Sequence, residues 1–203
     1  MKLVLASNNA KKLAELQALF APLGVELVTQ GSLGIAEAEE PFDTFVENAL
    51  AKARHAARAS GLPALADDSG LAVDALGGMP GVLSARYASL FGQPRSDADN
   101  NRVLLEQLAL RGAKMPRARF VCALVAVRSG DDPEPLVAMG RWEGQILPAP
   151  QGEAGFGYDP LMFIPALNQS VAQLGAEQKN RRSHRALAAA SLQQQFKEVW
   201  QLG

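Results

Sequence analysis

Residues 2–6 and 25–28 are short apolar runs, and between them Leu13, Leu16, Leu19 and Phe20 recur at helical spacing. A strand, a helix and a second strand packed so closely imply a crossover unit, which places both strands in one sheet. Lys11 and Glu15, four residues apart, support the helix from its polar side. The chain is therefore expected to be an α/β protein.

Further along, Thr44-Phe45-Val46-Glu47 is a capping box that opens an alanine-rich helix, and Gly61 follows its end. Residues 64–66 and 71–73 read as two short strands flanking Asp67-Asp68-Ser69-Gly70, whose composition suits a turn. A helix is expected over 103–110, stopped by Gly112. Two longer antiparallel strands are expected over 118–128 and 136–147, and a closing helix over 186–200. Residues 148–160, rich in Gly and Pro, form the longest structureless segment, and such loops inside compact domains tend to be functional. No repeat or long linker divides the chain, so residues 1–203 are expected to form a single domain, with two lobes.

Composition narrows the partners. With 48% hydrophobic residues, 20% charged residues and a net charge of −1, the chain has no excess of Lys and Arg. Nucleic acid is therefore not expected as the main partner, because phosphate-backbone binding needs that excess. No apolar stretch approaches the ~20 residues of a membrane span, so no membrane partner is expected and a cytoplasmic setting is. Cys122, the only cysteine, lies in an apolar run and reads as a buried thiol.

Five segments carry side chains suited to chemistry. Residues 7–12 join the first strand to the first helix, where free N–H groups and the positive end of the helix dipole suit a phosphate. Ser7 and Asn9 add short polar side chains and Lys12 a charge; the plainer alternative is that Ser7 or Asn9 caps the helix. Asp67 and Asp68, preceded by Glu37, Glu39 and Glu40, suit a hard divalent cation, the alternative being a surface turn. On the 44–59 helix, Asn48, Lys52 and His55 make a polar stripe, and Lys52 is expected to face solvent. Gly155-Phe156-Gly157-Tyr158-Asp159-Pro160 lets backbone approach a ligand while Phe156 offers a stacking face, or else is a tight turn with an anchored Phe. Finally, residues 179–185 hold Lys179, Arg181, Arg182, His184 and Arg185, either a solvated helix start or a seat for anions.

Taken together, these segments resemble the inosine triphosphate pyrophosphatase family, house-cleaning enzymes of purine nucleotides. The resemblance runs in order through Ser7-x-Asn9-x-x-Lys12-x-x-Glu15, Thr44-Phe45-x-Glu47-Asn48-Ala49, Asp67-Asp68-Ser69-Gly70-Leu71, Pro80-Gly81-x-x-Ser84-Ala85-Arg86-Tyr87, the Gly155–Pro160 segment and Ser183-His184-Arg185. It implies a long mixed sheet with helices, two lobes around a central nucleotide-binding cleft, and a homodimer. The implied reaction is Mg²⁺-dependent hydrolysis of a non-standard purine nucleoside triphosphate to the monophosphate and pyrophosphate. Ser7, Asn8, Asn9, Ala10, Lys11 and Lys12 would then hold phosphate, and Asp68 would be the general base and a metal ligand. Glu39 or Glu40, with Asp67, would complete the metal set, while Ser69, Phe156, Gly157, Tyr158, Asp159, Lys179, His184 and Arg185 would contact substrate. Asn8 stands where many members have Gly, and the loop is expected to survive because Asn tolerates left-handed backbone. A pyrophosphatase for other modified nucleotides and a non-catalytic nucleotide binder are the alternatives. The paired carboxylates argue against the second.

Overall fold

The computed structural model describes residues 1–202. Its strands are β1 (Lys2–Leu5), β2 (Glu26–Thr29), β3 (Ala64–Val73), β4 (Arg117–Val127), β5 (Leu136–Ile146), β6 (Met162–Ile164) and β7 (Gln169–Ser170). They form one mixed sheet in the order β2-β1-β3-β4-β5-β6-β7. The helices are α1 (Ala10–Phe20), α2 (Phe45–Ser60), α3 (Asp97–Leu110), α4 (Ala176–Arg182) and α5 (His184–Val199). Among the described residues no helix is long and apolar enough to cross a membrane.

The chain divides into two compact units. One comprises Met1–Asp68, Cys122–Gly140 and the chain from Ser183 onward; the other comprises Ser69–Val121 and Arg141–Arg182. In the first, β1 runs parallel to both β2 and β3, with Leu3 opposite Leu27 and Val4 opposite Ala64. Leu3, Val4 and Leu5 are wholly buried, as a strand covered on both faces requires. Leu3 and Leu5 join Leu16, Phe20 and Phe196 in one core, whereas Val4 joins Ala49, Ala53 and Ala56 in another. Alternation along β1 thus sets α1 and α5 on one face of the sheet and α2 on the other. The second unit has its own core, in which Leu71, Leu104, Phe120, Trp142, Leu161 and Met162 meet.

The helix starts follow local chemistry. The Asn9 side chain caps α1, accepting from the N–H of Lys11 and of Lys12. Thr44 caps α2, accepting from the N–H of Glu47 at 3.2 Å and donating to its carboxylate at 2.6 Å. Ser183 caps α5, and a Cβ at Gly140 of β5 would collide with the carbonyl oxygen of His184. Only glycine lets the first turn of α5 approach the sheet so closely.

Two expectations change. Residues 64–73 form one ten-residue strand rather than two pieces around a turn, because its acidic residues find buried cations, as described below. Helix α3 begins at Asp97 rather than near residue 103, since Ser96 caps the N–H of Asp99 and the first turns carry polar contacts instead of apolar periodicity. Residues 148–160 carry no helix or strand, as expected, and β6 follows them, pairing antiparallel with β5 and β7.

Candidate active site

Successive residues of a strand point to opposite faces, and β3 uses this to give its two aspartates different surroundings. Asp67 lies on the α1/α5 face. Its Oδ1 accepts from Lys12 Nζ of α1 at 2.7 Å and its Oδ2 from Arg185 Nε of α5 at 2.6 Å. Arg185 Nη1 also donates to Glu15 Oε2 at 2.6 Å, one turn beyond Lys12. Asp67 is 1% and Arg185 2% exposed, so the charges of this chain are compensated inside the protein. Burial alone would raise the Asp67 carboxyl, but Arg185 and Lys12 outweigh it and hold the carboxyl well below the usual range.

Asp68 lies on the α2 face. Lys52 Nζ donates to Asp68 Oδ1 at 3.0 Å and to Glu40 Oε1 at 2.7 Å. Asp68 Oδ2 is buried and has no hydrogen-bond partner among the described residues. Burial pushes the Asp68 carboxyl up, and Lys52 offsets only part of that. Burial would lower the Lys52 ammonium, yet Asp68 and Glu40 carry it above its ordinary value. An orphaned carboxylate oxygen beside a second carboxylate suits Mg²⁺, which takes one or two protein carboxylates and fills its shell with water and phosphate. Among the described residues, no three Asp, Glu, His or Cys side chains gather into an all-protein metal cage.

The expected site residues are not all brought together. Asp67 and Asp68 point to opposite faces of β3, and Asp67 meets Lys12 and Arg185. Glu40 meets Lys52, whereas Glu39 is exposed. Arg185, expected against substrate, is buried between Asp67 and Glu15. Lys52 was expected in solvent and is 9% exposed. Its position among Ala49, Ala53 and Ala56 on the apolar stripe of α2 is the signal that marks it as buried.

The loop before α1 is built as a tether and a cap. Ser7 Oγ accepts from Asn9 N–H at 3.2 Å, and Asn8 Oδ1 accepts from Gly31 N–H at 2.9 Å. Asn8 does not adopt left-handed backbone, so its tolerance of that geometry is not needed. Ala10 opens the helix, Lys11 is exposed, and Lys12 is half-buried beside Asp67. His184 is the first residue of α5 and is buried.

The second unit holds the remaining candidates. Asp159 is buried, and its Oδ2 accepts from Phe156 N–H at 3.0 Å and from Lys179 Nζ at 2.9 Å. The same ammonium sits 4.7 Å from the centre of the Phe156 ring. Tyr158 is buried and donates its hydroxyl to the Ser84 carbonyl at 2.9 Å. Ser69 is half-buried on β3. An aromatic ring with a fixed cation above it, on a loop ordered by its own aspartate, is suited to stacking against a planar base.

The chain is similar to several known proteins. The model of the Ham1 family matches residues 3–195. A dITP/XTP pyrophosphatase of Leptothrix cholodnii is 66% identical, with 100% of both chains covered. A dITP/XTP pyrophosphatase of Methylibium petroleiphilum is 63% identical, covering 98% of this chain and 99% of the relative. Among solved structures, a HAM1 protein from Coxiella burnetii superposes with a TM-score of 0.90 at 42% identity, covering 98% of this chain and 100% of the other. The Ham1 protein of Staphylococcus aureus gives a TM-score of 0.84 at 39% identity, covering 98% and 99%.

Proposed function

The chain belongs to the Ham1 family, and from that premise we propose that it hydrolyses non-standard purine nucleoside triphosphates, those of inosine, deoxyinosine and xanthosine, to the monophosphate and pyrophosphate. The observation that carries the reading is Asp68: a buried carboxylate with one oxygen on Lys52 and the other without a partner among the described residues. Such a group needs a cation or a water, and hydrolysis uses both. Clearing these triphosphates keeps them out of DNA and RNA.

In this reading Asp68 orients and deprotonates the water that attacks phosphorus. Burial raises its carboxyl and so strengthens it as a base. Lys12, anchored by Asp67, and the N-terminal end of α1 balance the phosphate charge. Asp68 and Glu40 would hold Mg²⁺, with Lys52 turning from them toward phosphate. When bound, that ion would neutralise charge developing on the pyrophosphate leaving group. In the second unit, Phe156 stacks on the base and Lys179 keeps the ring in place. Magnesium is supported by the family resemblance together with the Asp68–Glu40 donor set, and a homodimeric state and a cytoplasmic setting by the family resemblance alone.

Base selection follows from hydrogen-bond polarity. A 6-oxo purine presents an acceptor where adenine presents an amino donor, so N–H donors facing that edge satisfy one and leave the other unpaired. A site of this kind discriminates by about 10⁴-fold. Steady-state hydrolysis of inosine, deoxyinosine and xanthosine triphosphates against adenosine triphosphate is expected to show a kcat/KM ratio of that order. Similar efficiencies for inosine and adenosine triphosphates would remove the specificity.

A further inference from the structure

We propose that Asp97 and Asn101, both outside the segments that carry the resemblance, are positioning residues that hold the base-stacking loop from the first turns of α3. Gly157 sits inside that loop, between Phe156 and Tyr158, in left-handed backbone with φ of 61°. Both of its backbone groups are taken by α3. The Asp97 carboxylate accepts from Gly157 N–H at 2.7 Å, and Asn101 Nδ2 donates to Gly157 O at 2.9 Å. Residues four apart share a helix face, so the helix grips the glycine with two fingers of opposite polarity.

The flanks of the loop are fixed separately. Phe156 N–H is held by Asp159, and the Tyr158 hydroxyl by Ser84. Without α3, the Gly157 backbone unit beside the stacking ring would lose both of these anchors, and a ligand would have to order it on binding. The other half of the Asn101 amide supports a positioning role: its Oδ1 is buried with no hydrogen-bond partner among the described residues. A buried acceptor left empty lowers stability, so this amide is placed for its grip on Gly157 and not for the core. Its neighbour Asn100 shows the ordinary arrangement, accepting from Ala88 N–H at 2.8 Å through Oδ1 and donating to Ala85 O through Nδ2.

The inference rests on the proposed function, in which Phe156 meets the base. Since the grip acts on binding and not on the Asp68 chemistry, KM and kcat should separate. The full chain is compared with Asp97→Ala, Asp97→Asn and Asn101→Ala using inosine triphosphate as substrate. Asp97→Ala, at an exposed position, is expected to raise KM by about tenfold, the effect of losing one charge-assisted hydrogen bond, with kcat within about twofold. Asp97→Asn, which keeps an acceptor for Gly157 N–H, restores most of the KM. Asn101→Ala raises KM in the same sense. Inhibition by inorganic pyrophosphate, which carries no base, stays unchanged in all three. An active wild type with unmoved KM in Asp97→Ala and Asn101→Ala overturns the grip alone. So does a loss of kcat that tracks a fall in Tm, because that is a structural effect. A wild type inert toward inosine triphosphate overturns the proposed function as well.

Discussion

Asp68→Asn is expected to lower kcat for inosine triphosphate by at least about 10²-fold, the range for removing a general base. Asparagine keeps the size of the side chain and can still accept from Lys52, so the fold around α2 should survive. What disappears is the charge proposed to take a proton from water, carried by a carboxylate whose Oδ2 has no hydrogen-bond partner among the described residues. The loss should persist at saturating substrate, since the interaction is made in the transition state and not merely in the bound ground state. Pyrophosphate release by wild type and variant at equal Mg²⁺ gives the comparison. Near-normal turnover in Asp68→Asn would move the base to another residue.

Asp67→Ala is expected to have the largest effect on stability. Removing one partner from a buried ion pair leaves the other charged and unpaired, at a cost of about 3–5 kcal/mol. For a chain of 203 residues that corresponds to a Tm lower by roughly 10 °C. The strength of the effect follows from Arg185, which is 2% exposed and would keep only Glu15 of the two ion-pair partners described above. Pairing Asp67→Ala with Arg185→Met removes both charges and should recover part of the loss, so the double-mutant cycle should show coupling between them. The pH dependence has a defined sign. Because the Asp67 carboxyl is held well below its ordinary value in the folded state, its stabilising contribution is complete above the unfolded-state value. It is lost only as pH falls through the folded-state value. The gap between wild type and variant should therefore stay constant from neutral pH down to about pH 4 and narrow below it. A Tm within a degree of wild type would show that Asp67 and Arg185 are not a buried, coupled pair.

How much of this was legible in the sequence depended on distance along the chain. The β1–α1–β2 unit and the start of α2 were readable because apolar spacing, Asn9 and the Thr44–Glu47 box all act within a few residues. Asp67-Asp68-Ser69-Gly70 looked like a turn because the cations that make it a buried strand lie elsewhere. Lys52, Lys12 and Arg185 are 16, 55 and 118 residues away from their aspartates. The same holds for α3, whose polar first turns were passed over because Asp97 and Asn101 face Gly157 and Asn100 faces Ala85 and Ala88. Lys52 was assigned to solvent by residue type, although its place on the alanine stripe of α2 already argued for burial. Motif order pointed to Asp68, Lys12 and the Phe156–Asp159 loop. It could not say that Asp67 and Arg185 neutralise each other, which is a matter of strand pleat and helix placement.

The most direct measurement is a product balance on inosine triphosphate with the wild-type protein, with Mg²⁺ and after its removal by a chelator. Inosine monophosphate and pyrophosphate in a one-to-one ratio, without orthophosphate and only in the presence of Mg²⁺, is the expected result. Release of orthophosphate with inosine diphosphate, or full turnover in the chelator, would contradict a pyrophosphatase site built on Asp68 and Glu40.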